Sequence, residues 1–200
     1  MVSAKADIKC WLERKLDKRY PIIYIDATYW HTRRVDEVSS EAYYTVLAVK
    51  EDRTREVLAI VNHPNEGASN WKEAFINLKE RGLDTVNLFV CDGLTGIENA
   101  IAEVYPMAVV QLCTVHLTRN ILAKIKPAQK QEIAKELKEV LNPDNANDKP
   151  EDGIKRFTEF IDRWKDRYPS LKTYLKPRNN LYFNYLNYNN QIRRMIYTTN

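Results

Sequence analysis

Cysteine is scarce in this 200-residue chain: Cys10, Cys91 and Cys113 are the three present, too few and too scattered for a disulfide framework. They are expected to be reduced and mostly buried thiols, in keeping with an intracellular, cytoplasmic location. Long apolar runs are missing too. The segments "PIIYI" and "AVVQLC" are strand-sized, so no membrane span is expected. The first twenty residues alternate charge with isolated apolar positions and have no signal-peptide core. An excess of one charge sign is lacking as well: 31 Lys and Arg against 27 Asp and Glu leave +4, which alone does not argue for a nucleic-acid partner. Gly93 and Gly96 are not followed by Gly-Lys-Ser/Thr, so a phosphate-cradling P-loop is excluded. No internal repeat is visible.

What is present suffices for a folded core. Hydrophobic residues make up 44% of the chain, and the length suits one domain or one domain with a sizeable insertion. The positive charge is unevenly spread. Arg119, Lys124, Lys126, Lys130, Lys135 and Lys138 share one stretch with only Glu132 and Glu136, and Arg163 to Arg178 is similarly basic. Such stretches are either solvated helix faces or contacts to phosphates.

The hydrophobic pattern divides the chain into a mixed first half and a helical second half. Residues 20 to 30, 42 to 50 and 55 to 62 are β-branched and aromatic, and read as three antiparallel strands. A loop with Pro64 and Gly67 follows. Trp71, Ala74, Phe75 and Leu78 then fall on one helical stripe, with Asn70 placed to cap that helix and Gly82 to stop it. Residues 85 to 92 read as a fourth strand, Thr95 to Glu98 as a capping box opening a helix, and 107 to 113 as a fifth strand. Thr114 can cap the next helix. Beyond Pro127 the pattern is helical throughout. The Tyr- and Asn-rich run 179 to 190 is expected as a helix or irregular turn packed through its rings. The order β-β-β-α-β-α-β-α is that expected of an α/β, RNase H-like mixed sheet, followed here by an all-helical stretch. The expected divisions are a lead-in at 1–20, the core at 21–126 and the insertion at 127–200.

Two carboxylates stand out. Asp26 lies midway along an apolar strand between Ile25 and Ala27, where a charge is costly unless it is paired or binds metal. Asp92 ends a strand and precedes Gly93, at the strand end where open α/β sheets bind ligands. As a pair on neighbouring strands they would suit Mg²⁺ or Mn²⁺ in a two-metal site for phosphodiester chemistry. Other readings stay open at this point: Asp92-Gly93 is also ordinary turn chemistry, and Asp26 can be held by backbone amides. Asp36, Glu37, Glu41, Glu98 and Glu103 read most simply as surface or cap charges. Cys113-Thr-Val-His116 resembles half a zinc site, yet no second half stands at usable spacing. A Cys–His nucleophilic dyad lacks any oxyanion-hole signature. A positioning role for His116 near the carboxylates, or a buried imidazole, is the simpler reading.

Five segments, "YPIIYIDATY", "REVLAIVNHPNEGASNWKEAFINLKERGL", "VCDGLTGIENAIAEVYP", "VQLCTVHLTRNIL" and "IRRMIYTTN", resemble in content and order the bacterial insertion-sequence transposases related to the Mutator elements of plants. The resemblance runs from about Trp11 to Asn200. It implies an RNase H-like catalytic domain that uses two Asp and one Glu with divalent metal to cut transposon ends and join them to target DNA. Asp26 matches the first acid and Asp92 the second, while Cys113 and His116 match a Cys-x-x-His motif after the fifth strand. DNA-binding residues are expected among Arg119, Lys124 and Lys126.

The family's third acid follows the "YTTN" stretch, and a helical DNA-binding region precedes its catalytic domain. The expectation is therefore a fragment without its third acid and last core helix, inactive or nearly so alone. Its parent enzyme is expected to act on double-stranded DNA at the nucleoid, as a homo-oligomer. The alternative is a non-catalytic DNA-binding or interaction remnant of a transposase.

Overall fold

The computed structural model describes residues 4–33, 38–62, 68–145 and 147–199. Helix α1 (Ala4–Glu13) leads into strands β1 (Arg19–Arg33), β2 (Val38–Val49) and β3 (Arg55–Asn62), then α2 (Ala68–Glu80), β4 (Thr85–Cys91), α3 (Ile97–Val104), β5 (Val109–Leu112) and α4 (Thr114–Ala123). Helices α5 (Pro127–Val140) and α6 (Pro150–Trp164), two 3₁₀ helices (Pro169–Leu175 and Pro177–Asn187) and α7 (Asn190–Ile196) complete the chain. The five strands form one sheet in the order β3-β2-β1-β4-β5. The fold class is α/β in the element order expected from the sequence. The chain divides into two compact units, Met1–Phe89 with Leu94–Val109, and Val90–Gly93 with Val110–Asn200.

In the first unit β1, β2 and β3 make an antiparallel meander, with Asp26 opposite Thr45 and a register shift at Val46/Leu47. The β1–β2 hairpin runs further than the expected strands, to Arg33 opposite Val38. Its outer part exposes Tyr29 and Trp30, so it carries no apolar alternation by which to recognise it. Helix α2 buries Trp71, Phe75 and Leu78 as its stripe predicts, and Phe75 packs with Trp71, Phe89 and Tyr105. Gly82 ends the helix at φ +109°, a conformation side chains rarely adopt. The lead-in forms α1, a helix with no buried residue, which explains why no stripe announces it. Arg14, Tyr20 and Lys50 all bond to Glu56. Burial pushes the Glu56 carboxyl up, but these three donors outweigh it and hold it below the usual range.

Four expectations of detail are corrected. Helix α2 begins at Ala68, so Asn70 lies inside it rather than at its cap. Helix α3 is preceded by Gly96 in the left-handed region with no side-chain cap, so Thr95 does not form the capping box. The N-cap of α4 is Cys113 rather than Thr114. Glu41 is buried, accepting from Asn62 Nδ2 at 2.8 Å and Ser39 Oγ at 3.3 Å, and is no surface charge. The loop with Pro64 and Gly67, and Asp36 and Glu37, lie outside the described residues.

The second unit packs α5, α6 and the second 3₁₀ helix around Phe157, Phe160, Phe183 and Tyr185. The Tyr- and Asn-rich run is that 3₁₀ helix, with Tyr182, Phe183, Tyr185 and Leu186 buried. Its rings face inward, while the i, i+3 spacing of a 3₁₀ turn gives no 3.6-residue stripe to read. Gly153 of α6 sits where a Cβ would lie 2.5 Å from Phe183 and 2.8 Å from Leu186. Arg193 of α7 is buried and donates to four carbonyls, those of Tyr188, Asn145, Asp148 and Leu186, at 2.6–2.9 Å. It thereby ties the α5–α6 loop to the end of the second 3₁₀ helix with one side chain.

This packing has two measurable consequences. Gly153→Ala gains about 1 kcal/mol of helix propensity but overpacks Phe183, so a net loss of about 1–2 kcal/mol is expected in the urea midpoint. Burial raises the phenols of Tyr105, Tyr182 and Tyr185 well above the ordinary value of 10.0. Their folded pKa exceeds the unfolded one, so their contribution is complete below pH 10 and is lost as pH rises beyond it. Thermal melts should show a Tm constant from neutral pH to about 9 and falling above 10.

Candidate functional site

Asp26 lies on β1, half-buried, with its Oδ1 shielded from solvent. Its neighbours Tyr24 and Ile25 are buried, so the strand carries the carboxylate into the sheet interior. Asp92 is the first residue past β4, and its side chain keeps 25% exposure. The Gly93 amide donates to Asp92 Oδ1 at 2.6 Å, a contact that fixes the carboxylate at the strand end. His116 Nδ1 stands 3.9 Å from the same oxygen. That is too long for a hydrogen bond but close enough for attraction whenever the imidazole is protonated.

Cys113 and His116, three residues apart at the start of α4, face different partners. The fully buried Cys113 sulfur accepts from the Thr199 amide at 3.4 Å and lies 3.5 Å from both the Thr198 and Thr199 hydroxyls. Thr114 adds two bonds to the Tyr197 carbonyl, from its amide at 3.0 Å and its hydroxyl at 2.8 Å. Residues 113–114 thus fasten the Tyr197-Thr198-Thr199 stretch, while His116 is turned to Asp92. Among the described residues no three His, Cys, Asp or Glu side chains gather into a metal-holding group. The three cysteines form no disulfide, and Cys10 is exposed.

The basic residues singled out in the sequence do not line one cavity. Arg119 lines a groove of about 590 Å³ with Lys138 and Arg194. Lys124 lines a different cavity, with its ammonium 3.2 Å from the Tyr174 hydroxyl and 4.6 Å from that ring's centre. Lys126 is exposed just before Pro127 and lines neither.

Sequence reasoning missed Gln111 and Tyr182. Gln111, wholly buried on β5, donates to the carbonyls of Tyr182 at 3.0 Å and Leu112 at 2.6 Å, and accepts from the Tyr185 amide at 2.6 Å. Asn184 donates to the Val110 carbonyl at 2.7 Å. The second 3₁₀ helix is thereby stitched along the edge strand β5. The available signal was a lone amide in the otherwise apolar "AVVQLC". With its helix held there, Tyr182 reaches Gly93: a Cβ on Gly93 would lie 3.3 Å from the Tyr182 hydroxyl and 3.5 Å from Arg178 Nη2. Burial first, and then the negative charge of Asp92, push the Tyr182 phenol up against the opposing pull of Arg178, so it remains a neutral donor.

With this geometry in view, similarity to known proteins places the chain among the transposases. The family model described as "Transposase, Mutator family" matches residues 3–200, and the chain belongs to that family. It is 33% identical over 193 residues to the transposase for insertion sequence element IS1201 of Lactobacillus helveticus, covering 96% of this chain and 51% of that protein. It is 29% identical over 198 residues to the transposase for insertion sequence element IS905 of Lactococcus lactis subsp. lactis (strain IL1403), covering 99% and 49%. The chain therefore spans about half the length of these curated relatives. The solved structure "Drosophila P element transposase strand transfer complex" superposes with a TM-score of 0.36 at 10% identity, over 86% of this chain and 57% of that one. Among the described residues no helix is long and apolar enough to cross a membrane.

Replacing Gln111 by Leu leaves the buried Tyr185 amide and Tyr182 carbonyl without their partner, at roughly 1–3 kcal/mol for each group. Gln111→Leu should lower the stability of the chain by roughly 2–6 kcal/mol in chemical denaturation. An unchanged midpoint would show that the amide is not what holds the 3₁₀ helix.

Proposed function

We propose that this chain is the central catalytic part of a DNA transposase of RNase H-like design, in which Asp26 and Asp92 bind divalent metal for phosphodiester cleavage and strand transfer. The observation that carries the reading is that Asp92 directly follows β4, the strand next to β1 in the sheet, and β1 bears Asp26. Membership of the Mutator transposase family supports it.

The donor set fits the proposed ion. Both side chains offer only oxygen, the ligand type that suits Mg²⁺ or Mn²⁺, and Asp92 keeps one flank open to solvent. Such an ion supplies charge stabilisation and activates the attacking oxygen. A third carboxylate, from a segment following the "YTTN" stretch, completes the ligand set in this proposal.

The chain's own residues supply position. The Gly93 amide holds Asp92 Oδ1 and leaves the carboxylate's other oxygen for a ligand. His116, with Nδ1 3.9 Å from Asp92 Oδ1, is a positioning residue beside that carboxylate. Residues 113–114 hold Tyr197-Thr198-Thr199, and so set where the following segment starts. The attacking group is water in cleavage and a DNA 3′-hydroxyl in joining, with no covalent protein intermediate. The substrate is double-stranded DNA, and the full-length protein acts as a homo-oligomer.

The test uses the transposase at the length of its relatives, with Asp26→Asn and Asp92→Asn made singly. Removing a metal ligand takes away several kcal/mol of transition-state stabilisation, so cleavage in Mg²⁺ should fall roughly a thousandfold or more in each variant. DNA affinity in EDTA should be unchanged. Cleavage at the parent rate by either variant would remove that residue from the metal site.

A further inference from the structure

A cavity of about 270 Å³ opens beside Asp92, lined by Gly93, Asn120, Lys124, Lys176, Arg178 and Tyr182 among others. All of these residues belong to the second compact unit. Three of them are cations, and none of the described residues lining the cavity is acidic. Lys124, Lys176 and Arg178 are exposed, whereas Tyr182 is 5% exposed, so positive charge at the surface stands beside a buried wall.

The parts are held rather than casually placed. Lys124 is seated over the Tyr174 ring at 4.6 Å with its ammonium 3.2 Å from that hydroxyl, which limits its sweep. Lys176 ends the first 3₁₀ helix and caps the second, and Arg178 follows within that second helix, which Gln111 and Asn184 bind to β5. The guanidinium and the Tyr182 hydroxyl both lie over Gly93, where a Cβ would be tight only against the hydroxyl. The cavity therefore brings together a planar fork of donors, two point charges and a phenol, next to the carboxylate that ends β4. Arginine forks and lysine point charges are the complement of a phosphate.

We propose that Lys124, Lys176, Arg178 and the Tyr182 hydroxyl form a subsite for one backbone phosphodiester of DNA, seated over Gly93 beside Asp92. This inference rests on the transposase reading for the identity of the polymer, but its contacts are phosphate contacts that carry no base sequence. The subsite fixes where the strand lies relative to Asp92. It also assigns that task to Lys124 and the 3₁₀ segment rather than to Arg119 and Lys126, which lie outside the cavity.

The experiment measures binding of the 200-residue chain to a fluorescent DNA duplex in EDTA across a salt series, so that no metal-dependent chemistry enters. One variant carries Lys124→Gln, Lys176→Gln and Arg178→Gln. A control of equal charge change carries Lys130→Gln, Lys135→Gln and Lys155→Gln, three exposed lysines outside the cavity. Each phosphate that is no longer neutralised lowers the slope of log affinity against log salt by about 0.9. The cavity variant should lose at least about one unit of slope and roughly tenfold in affinity at low salt, with the control near the parent. Tyr182→Phe, which keeps the buried ring, should weaken binding about threefold, a few tenths to one kcal/mol for one neutral hydrogen bond.

Equal reductions in the two charge variants would overturn the proposal, because binding would then be spread over the surface. So would a cavity variant that stays folded by circular dichroism and binds as the parent does. Inorganic phosphate serves as the second probe. If the cavity variant no longer binds phosphate yet keeps its duplex affinity, the site is one for a free anion and the DNA assignment is overturned. Failure here leaves the Asp26→Asn and Asp92→Asn cleavage test untouched, since that one reads metal-dependent rate and this one reads metal-free affinity.

Discussion

The side-chain amide of Gln111 is the constraint on which the second unit's functional geometry depends. A short strand at the edge of a sheet exposes unpaired backbone groups, and a 3₁₀ helix satisfies its own poorly. One buried amide meets both needs, because it can donate twice and accept once in directions fixed by the strand. Everything the second 3₁₀ helix presents at Gly93, both the Tyr182 hydroxyl and the Arg178 guanidinium, inherits its place from that attachment. Arg193 plays the matching part at the far end of the segment, where a single guanidinium collects four carbonyls.

Charge around Asp92 is arranged by distance. The Gly93 amide is in direct contact with the carboxylate, His116 stands just beyond hydrogen-bond reach, and Tyr182 is close enough for the carboxylate to raise its pKa. One firm backbone donor, with an imidazole just beyond hydrogen-bond reach, holds the aspartate in direction, as the proposed role of cation ligand requires. The Cys-x-x-His motif divides its labour in the same spirit: the sulfur holds the Thr198 hydroxyl and the Thr199 amide, and the imidazole lies towards Asp92.

Much of the fold was legible because burial leaves a periodic trace. Trp71, Phe75 and Leu78 announced α2, and the β-branched runs announced the meander. Legibility failed where the period carries no burial, as in the fully exposed face of α1 and the outer hairpin with Tyr29 and Trp30. It failed again where a local rule met a tertiary competitor. Thr114 has the chemistry of a helix cap, yet its hydroxyl is taken by the Tyr197 carbonyl, 83 residues away. Glu41 has the composition of a surface charge, yet it is buried and Asn62 on the paired strand gives it a partner.

From the sequence alone came the α/β element order, the prominence of Asp26 and Asp92, and the family to which the quoted segments belong. Each of these is a property of residues close together in the chain, where period, turn chemistry and motif spacing act directly. Only the tertiary structure decided that Gln111 carries the 3₁₀ helix, that Cys113 and His116 face different partners, and that Arg178 and Tyr182 meet Gly93. Most of those pairings join residues roughly seventy to ninety positions apart, and a lone amide or phenol shows its partner only once the backbone has brought the two within three ångströms or so.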